Sequence, residues 1–380
     1  YFKENELFDK LYKSGNFSPV MNLNYTVQIS NLLTLLTALL DQYNDGELSS
    51  EQYEKIFVYA LSWSIGAMFE PEDRVRYHQL LASFRAPLPS VQSDETVFEY
   101  KFDKSKKNWV KWQADPWERQ PGMAFASLLI PTMDSTRAEY LIHTVLMMDQ
   151  ESDYKKQVLL VGGPGTAKTS TILMYTQKLP DNYALKKLNF SSATLPKMFQ
   201  ESIDADLEKK TGKNYCPPGG KNMLVFIDDV SMPYVNEWGD QITLEIVRQL
   251  IEDKGFYFLE KDKIGDFKTI SNLKFISAMS HPGGGRNDIP NRFKRHYFSF
   301  NMVLPSKESV DNIYLTIIKS AFTVKAFGEE VAETANKLTA ATIGLWERVK
   351  KRYLPTPSQF HYLFNMRELS RVFQGVFEVI

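Results

Sequence analysis

Cysteine is almost missing from this chain. Cys216 stands alone among 380 residues, so no internal disulfide framework can hold the fold together, and a reducing compartment is the expected setting. No charge excess exists either: 45 Lys plus Arg face 46 Asp plus Glu, without the basic surplus of a nucleic-acid binder or the acidic tail of a disordered segment. Histidines 78, 143, 281, 296 and 361 fall at no metal-ligand spacing, and there is no CxxC pair. The most apolar run, 32–40, is too short to span a bilayer, is interrupted by Thr34 and Thr37, and repeats at helical spacing, so a buried helix is expected. Neither a membrane nor a nucleic acid is an expected partner. The sequence opens at Tyr1 without a Met or a signal peptide and stops at Ile380 inside a helical pattern, so it is expected to be cut from something longer.

What is present is core material. The chain is 43% hydrophobic and 13% aromatic, enough for a sizeable interior and more than one domain. From residue 1 to about 84 the pattern is helical, with Ile29, Leu32, Leu33, Leu36 and Leu40 on one face, then Ile56, Phe57, Ala60, Trp63 and Met68 on another. After a break at Pro87 and Pro89, the aromatic stretch 97–117 reads as an irregular linker packed onto the next domain. A short strand is expected at 127–131, then a helix from Asp134 or Ser135 to about Met148.

The centre alternates strands (158–161, 188–190, 223–227, 273–278, 297–300) with helices from Thr169, Leu195, Asp240 and Asn287, which predicts a parallel sheet flanked by helices. Beyond Pro305 the chain turns helical again, with Ser306 as an N-cap and two further helices before Pro355. No internal repeat or low-complexity tract occurs. The Gly283, Gly284, Gly285 run lacks a following Lys-Ser/Thr and reads as a connecting loop.

The predicted strand 158–161 runs into Gly162, Gly163, Pro164, Gly165, Thr166, Ala167, Lys168 and Thr169, and then into a helix. A phosphate site requires such a turn. Its backbone N–H groups converge on the anion, a lysine supplies charge, and a hydroxyl reaches Mg²⁺; Lys168 and Thr169 provide the last two. Ala167 stands where the pattern has glycine, which is acceptable if its dihedrals are ordinary and the wall is uncrowded. A second apolar strand ends in Asp228 and Asp229. Asp228 would hold Mg²⁺ and its water, and Asp229 sits where a Glu usually polarises an attacking water. ATP or ADP with Mg²⁺ is the expected ligand.

Four longer strings carry a resemblance: Asn189-Phe190-Ser191-Ser192-Ala193-Thr194; Phe226-Ile227-Asp228-Asp229-Val230; Asn236-Glu237-Trp238-Gly239-Asp240-Gln241; and His281 through Pro290. They resemble the third AAA+ module of axonemal dynein heavy chains. The resemblance implies an AAA+ P-loop NTPase, α/β with a parallel sheet flanked by helices, plus all-helical small subdomain segments at both ends. Residues 1–89 would be the small subdomain of the preceding module, 90–301 the α/β subdomain with its N-terminal linker, and 302–380 the start of the module's own small subdomain.

Further roles are implied by the same resemblance. Ile130 and Pro131 fall in the segment that borders the adenine, the alternative being a simple strand end. Ser280 takes the place of the sensor I Asn, Arg367 matches the sensor II arginine, and Arg292 or Arg295 lies where an arginine finger reaches the neighbouring module's nucleotide; a solvated basic helix end is the alternative for these two. The short Asp229 and the Ser280 replacement imply slow hydrolysis and a regulatory role in ATP-driven, microtubule-based ciliary motility. Implied partners are the neighbouring AAA+ modules, microtubules through parts outside this chain, and dynein intermediate and light chains. The implied location is the cytoplasm and the axoneme. Two rival readings stand beside it: a nucleotide-locked structural module, and a nucleic-acid-remodelling AAA+ ATPase, suggested by an alanine like Ala167 in replicative minichromosome maintenance helicases.

Overall fold

The computed structural model describes residues 1–13, 15–44, 46–92, 95–120, 122–148, 152–259, 261–283 and 286–378. Gly284, Gly285 and Ile380 lie outside the described residues. In chain order the segments are α1 (Tyr25–Leu40), α2 (Ser50–Ser64), α3 (Pro71–Ser83), β1 (Tyr100–Asp103), β2 (Asn108–Lys111), α4 (Met133–Leu146), β3 (Gln157–Val161) and α5 (Lys168–Gln177). Next come β4 (Tyr183–Asn189), α6 (Pro196–Asp204), β5 (Glu208–Lys209), β6 (Asn214–Cys216), β7 (Asn222–Asp228), α7 (Ile242–Asp253), β8 (Gly255–Tyr257), β9 (Phe267–Ile270) and β10 (Leu273–Met279). Last are α8 (Asn291–Lys294), β11 (Tyr297–Asn301), α9 (Lys307–Ala321), α10 (Val324–Phe327), α11 (Glu329–Arg352) and α12 (Met366–Phe377). No helix among the described residues is long and apolar enough to cross a membrane.

The chain divides into two compact units. The first comprises Tyr1–Lys111, Tyr140–Gly162 and Tyr175–Val303. Its centre is a five-stranded sheet in the order β11-β3-β10-β7-β4, parallel throughout. β3 and β11 are buried at every position, as a parallel strand covered on both faces requires. The N-terminal helical segment shares this interior: Met21, Leu23, Val27 and Met68 join Leu159, Val161, Phe293 and Tyr297 in one apolar cluster. Polar ties reinforce the union. Lys294 Nζ donates to Asn22 O at 2.9 Å, and Lys156 Nζ donates to Asn31 Oδ1 at 2.7 Å.

The aromatic stretch expected to be an irregular linker is instead a β1–β2 hairpin preceded by a 3-10 turn at Val97–Glu99, and it packs back onto α2. Phe98 meets Trp63 edge-on at 5.2 Å, and Trp109 lies 6.3 Å from Tyr59. A second, four-stranded sheet in the order β5-β6-β9-β8 was not anticipated from the sequence.

The second unit comprises Trp112–Glu139, Gly163–Met174 and Leu304–Ile380. Its core gathers Leu128, Ile130, Val310, Tyr314, Ile317, Leu369 and Phe373, with Tyr314 stacked on Phe373 at 4.3 Å. The strand expected at 127–131 does not form. Phe125–Ser127 is a 3-10 turn, and Leu128 and Ile130 fill the apolar core instead of pairing in a sheet. The following helix begins at Met133, ahead of Asp134. Thr132 and Ser135 cap it reciprocally, Ser135 N donating to Thr132 Oγ1 at 3.2 Å and Thr132 N to Ser135 Oγ at 2.9 Å. Ser306 caps α9 as the sequence predicts, accepting from Ser309 N.

Candidate nucleotide site

Parallel pairing puts the carboxyl ends of the first unit's strands on one edge. Val161 pairs with Met279 on one side and Asn301 on the other, and Asn189 lies opposite Asp228. Gly162 therefore leaves β3 beside β10, and its N–H donates to Met279 O at 3.1 Å. Asp228 ends β7, and Ser280, buried, follows β10. This is where an open α/β sheet gathers its ligand groups.

Asp229 is exposed and takes a left-handed backbone, φ 54°. A short carboxylate is tolerated there better than most side chains. Its turn is pinned from several sides: Asp229 N donates to Asp228 Oδ1 at 3.2 Å, Val230 N to Ala278 O at 3.0 Å, and Met232 N to Asp229 O at 3.0 Å. Gln241, 1% exposed, completes the clamp. Its Nε2 donates to Ser231 O at 3.1 Å and to Pro233 O at 3.0 Å, so the residue ahead of α7 holds the segment just after the paired carboxylates. No role for Gln241 is legible in the sequence, because nothing in its spacing shows which carbonyls it meets.

Arg292 and Arg295 lie elsewhere on this unit. The helix expected from Asn287 starts at Asn291 and leads into the amino end of β11, where His296 O accepts from Gln157 N at the start of β3. In a parallel sheet that is the opposite end from Gly162, Asp228 and Ser280. Arg292 pairs with Asp240 at 3.2 Å and Glu245 at 2.8 Å, and Arg295 pairs with Glu252, which also binds Arg248. Both arginine side chains remain 52% exposed.

The second unit carries the loop itself. Gly165 and Ala167 both have positive φ, 84° and 59°. The condition set for Ala167, ordinary dihedrals, is thus not met: its methyl occupies a conformation that suits glycine and costs about 1 kcal/mol. The helix α5 opens at Lys168, with Thr171 N donating to Ala167 O at 2.9 Å, so its positive end faces the loop and suits an anion. Lys168 Nζ donates to Gly163 O at 2.9 Å and to Thr166 Oγ1 at 3.3 Å, which keeps the ammonium over the loop. An added Cβ at Gly165 would come 3.5 Å from Met366 N, so the loop runs close to the start of α12. That start carries Arg367, exposed, in a capping box built by Asn365 and Glu368. Donors, charge and hydroxyl fit a nucleotide's phosphates and a Mg²⁺ ion. Ile130 and Pro131 are buried in this same unit, in a stretch that forms no strand, and Ile130 belongs to its apolar core.

A strand-loop-helix of this composition, leaving a parallel sheet in which a strand ending in Asp228 lies one strand away across β10, defines a P-loop nucleotide-binding module of the AAA+ type. The match to known families is specific. Residues 117–305 match the P-loop containing dynein motor region, residues 3–114 the dynein heavy chain AAA lid domain, and residues 316–380 the dynein heavy chain ATPase lid domain. The chain is 42% identical over 95% of its length to the dynein gamma chain of the flagellar outer arm of Chlamydomonas reinhardtii, covering 8% of that protein. It is 40% identical over 98% of its length to mouse dynein axonemal heavy chain 5, and 41% over 97% to human dynein axonemal heavy chain 8, again covering 8% of each. The chain belongs to the axonemal dynein heavy chain family.

Proposed function

We propose that this segment is the third AAA+ module of a ciliary dynein heavy chain, with the helical end of the module before it, and that it binds ATP or ADP with Mg²⁺ to regulate microtubule-based motility. The division falls at 1–89, 90–301 and 302–380. The carrying observation is the carboxyl edge of the parallel sheet, where Gly162, Asp228 and Ser280 emerge from neighbouring strands β3, β7 and β10.

Gly162 through Thr166 offer backbone donors to the phosphates, and Lys168 adds charge. Thr169 and Asp228 would hold Mg²⁺, which when bound would neutralise phosphate charge. Asp229 orients the attacking water, and Ser280 and Arg367 read the γ-phosphate. Ile130 and Pro131 border the base. Asp229 is one methylene shorter than Glu and a Ser hydroxyl reaches less far than Asn; a misplacement of about 1 Å costs on the order of 10²-fold in rate, so turnover is slow. Neighbouring modules, microtubules reached through other parts of the heavy chain, and intermediate and light chains are the partners, in the cytoplasm and axoneme.

The test is Lys168→Ala in the parent heavy chain. Labelled ATP or ADP is expected to lose binding at this site while the fold is kept, since the ammonium is the main mobile charge on the phosphates. Unchanged affinity would reject the assignment, and nucleotide that never exchanges in the unsubstituted chain would favour a locked structural module.

A further inference from the structure

The last residue of β11 is an asparagine buried to 2% exposure, and both ends of its amide are used. Asn301 Nδ2 lies 3.0 Å from Glu70 Oε1 and 3.4 Å from Phe69 O, while Asn301 Oδ1 lies 2.9 Å from His281 Nε2. A carboxylate and a carbonyl only accept, so the amide nitrogen must face them. The amide oxygen is then left for His281, whose Nε2 must carry the hydrogen. The chain of donors has one direction: His281 to Asn301 to Glu70.

Each end of this relay is anchored. Asn301 pairs with Val161, the residue before Gly162, and Met302 N donates to Val161 O at 2.7 Å. His281 directly follows Ser280. Glu70 stands at the start of α3, where its backbone O accepts from Arg74 N. Arg74, itself buried, donates to Asn301 O at 2.9 Å, to Ala67 O at 3.0 Å and to Phe69 O at 3.0 Å. Its guanidinium also lies over the Phe98 ring at 4.8 Å. The two ends of the relay are partly exposed and lie 3.6 Å apart, His281 Nε2 to Glu70 Oε1, while the Asn301 amide between them is buried.

We infer that Glu70, Asn301 and His281 are positioning residues for Ser280. Through them a carboxylate of the N-terminal helical segment sets how well this site distinguishes a nucleoside triphosphate from a diphosphate. The inference rests on the reading of Ser280 as the group that meets the γ-phosphate. Losing the Glu70 acceptor leaves the Asn301 amide only its longer bond to Phe69 O, loosens its hold on the imidazole, and so loosens the backbone at Ser280, the residue before His281. Groups that touch the diphosphate are untouched by that change.

The experiment uses the full heavy chain with the P-loop lysines of its other nucleotide sites substituted. Fluorescent ADP and a fluorescent ATP analogue with an uncleavable β–γ bond are titrated, and the ratio of their Kd values is read. Glu70→Ala and the near-isosteric Asn301→Asp are expected to shift that ratio roughly fivefold in the direction of Ser280→Ala, the scale of one lost hydrogen bond, with ADP affinity kept. Glu70→Gln retains the accepting oxygen and is expected to restore the ratio. Adding Glu70→Ala to Ser280→Ala is expected to do nothing more, since the two act in one network. If Ser280→Ala shifts the ratio and neither Glu70→Ala nor Asn301→Asp does, the relay is overturned with the site reading intact. Should Ser280→Ala itself leave the ratio unchanged, the reading of Ser280 falls and takes the relay with it. A loss of ADP affinity equal to the loss for the triphosphate analogue would show a purely structural contact and likewise overturn it.

Discussion

Two residues of the candidate site hold backbone conformations that their side chains do not favour. Ala167 sits at φ 59° in a position that suits glycine. Ala167→Gly is therefore expected to stabilise the segment by about 0.5 kcal/mol, strain relief outweighing the added freedom of the unfolded chain, and to leave nucleotide affinity no weaker. Thermal unfolding of the pair checks it; a lower melting temperature for the glycine form would show that the methyl is packed. Asp229, at φ 54°, presents the opposite balance. Asp229→Glu brings the carboxylate nearer the attacking water and should raise the single-turnover rate, on the order of tenfold, if Ser280 does not limit it. The longer side chain is less suited to the left-handed region, so the same variant is expected to melt earlier. Equal rates with nucleotide that never exchanges would favour the locked module.

Among the elements, the junction of α1 with the start of β3 carries a titrating group. Lys156 is 6% exposed, bonded to Asn31, and burial drives its ammonium from the ordinary 10.5 down to about 7. Between these values the folded protein binds fewer protons than the unfolded chain, so this group makes stability rise as pH increases through the window. Lys274, buried and donating to Leu146 O, is pushed down to about 8 by burial and then by Lys155, and acts in the same sense. From pH 7.5 to 9, Lys156→Met is expected to reduce the slope of unfolding free energy against pH by about 1 kcal/mol per unit, one proton's worth, leaving the Lys274 part. Urea midpoints at a series of pH values would show it. An unchanged slope would mean that Lys156 stays charged in the fold.

At this scale the sequence was most legible where strands are continuously apolar. β3, β7, β10 and β11 were visible because a parallel strand buried on both faces needs such a run. β4 is longer than the expected 188–190 because Tyr183, Lys186 and Lys187 break its apolar pattern while still pairing with β7. β5, β6, β8 and β9 have only two to four residues each, several of them charged, and are held by partners distant in sequence such as Asn214 with Thr269. The false strand at 127–131 arose from the reverse case, apolar residues that serve a helical core. At the candidate site, the loop and Asp228 are legible as motifs and Ser280 only through the resemblance, whereas the Gln241 clamp and the Asn301 amide depend on carbonyls and carboxylates that only folding brings near.

For the molecule as a whole, the placement of Arg292 and Arg295 at the amino end of β11 leads to an expectation about a neighbour. One or both should serve the nucleotide of the preceding module, because a guanidinium offers several fixed donors and a permanent charge to γ-phosphate oxygens. Their present carboxylate partners, Asp240, Glu245 and Glu252, hold them ready on an exposed face. Replacing both with Ala in the heavy chain is expected to weaken nucleotide closure at the preceding site and leave affinity at Lys168 nearly unchanged. A structure of the complete ring with both guanidiniums far from any neighbouring phosphate in every nucleotide state would reject this.

The shared interior of the first unit also sets a schedule for synthesis. Lys294 reaches back across 272 positions to Asn22 O, and Met21, Leu23 and Val27 are covered by Phe293 and Tyr297. At about 5–20 residues per second, the ribosome delivers those covering residues on the order of half a minute after the helices they cover. During that interval the apolar side of the helical segment faces solvent, within reach of a chaperone and of other nascent chains on the same message.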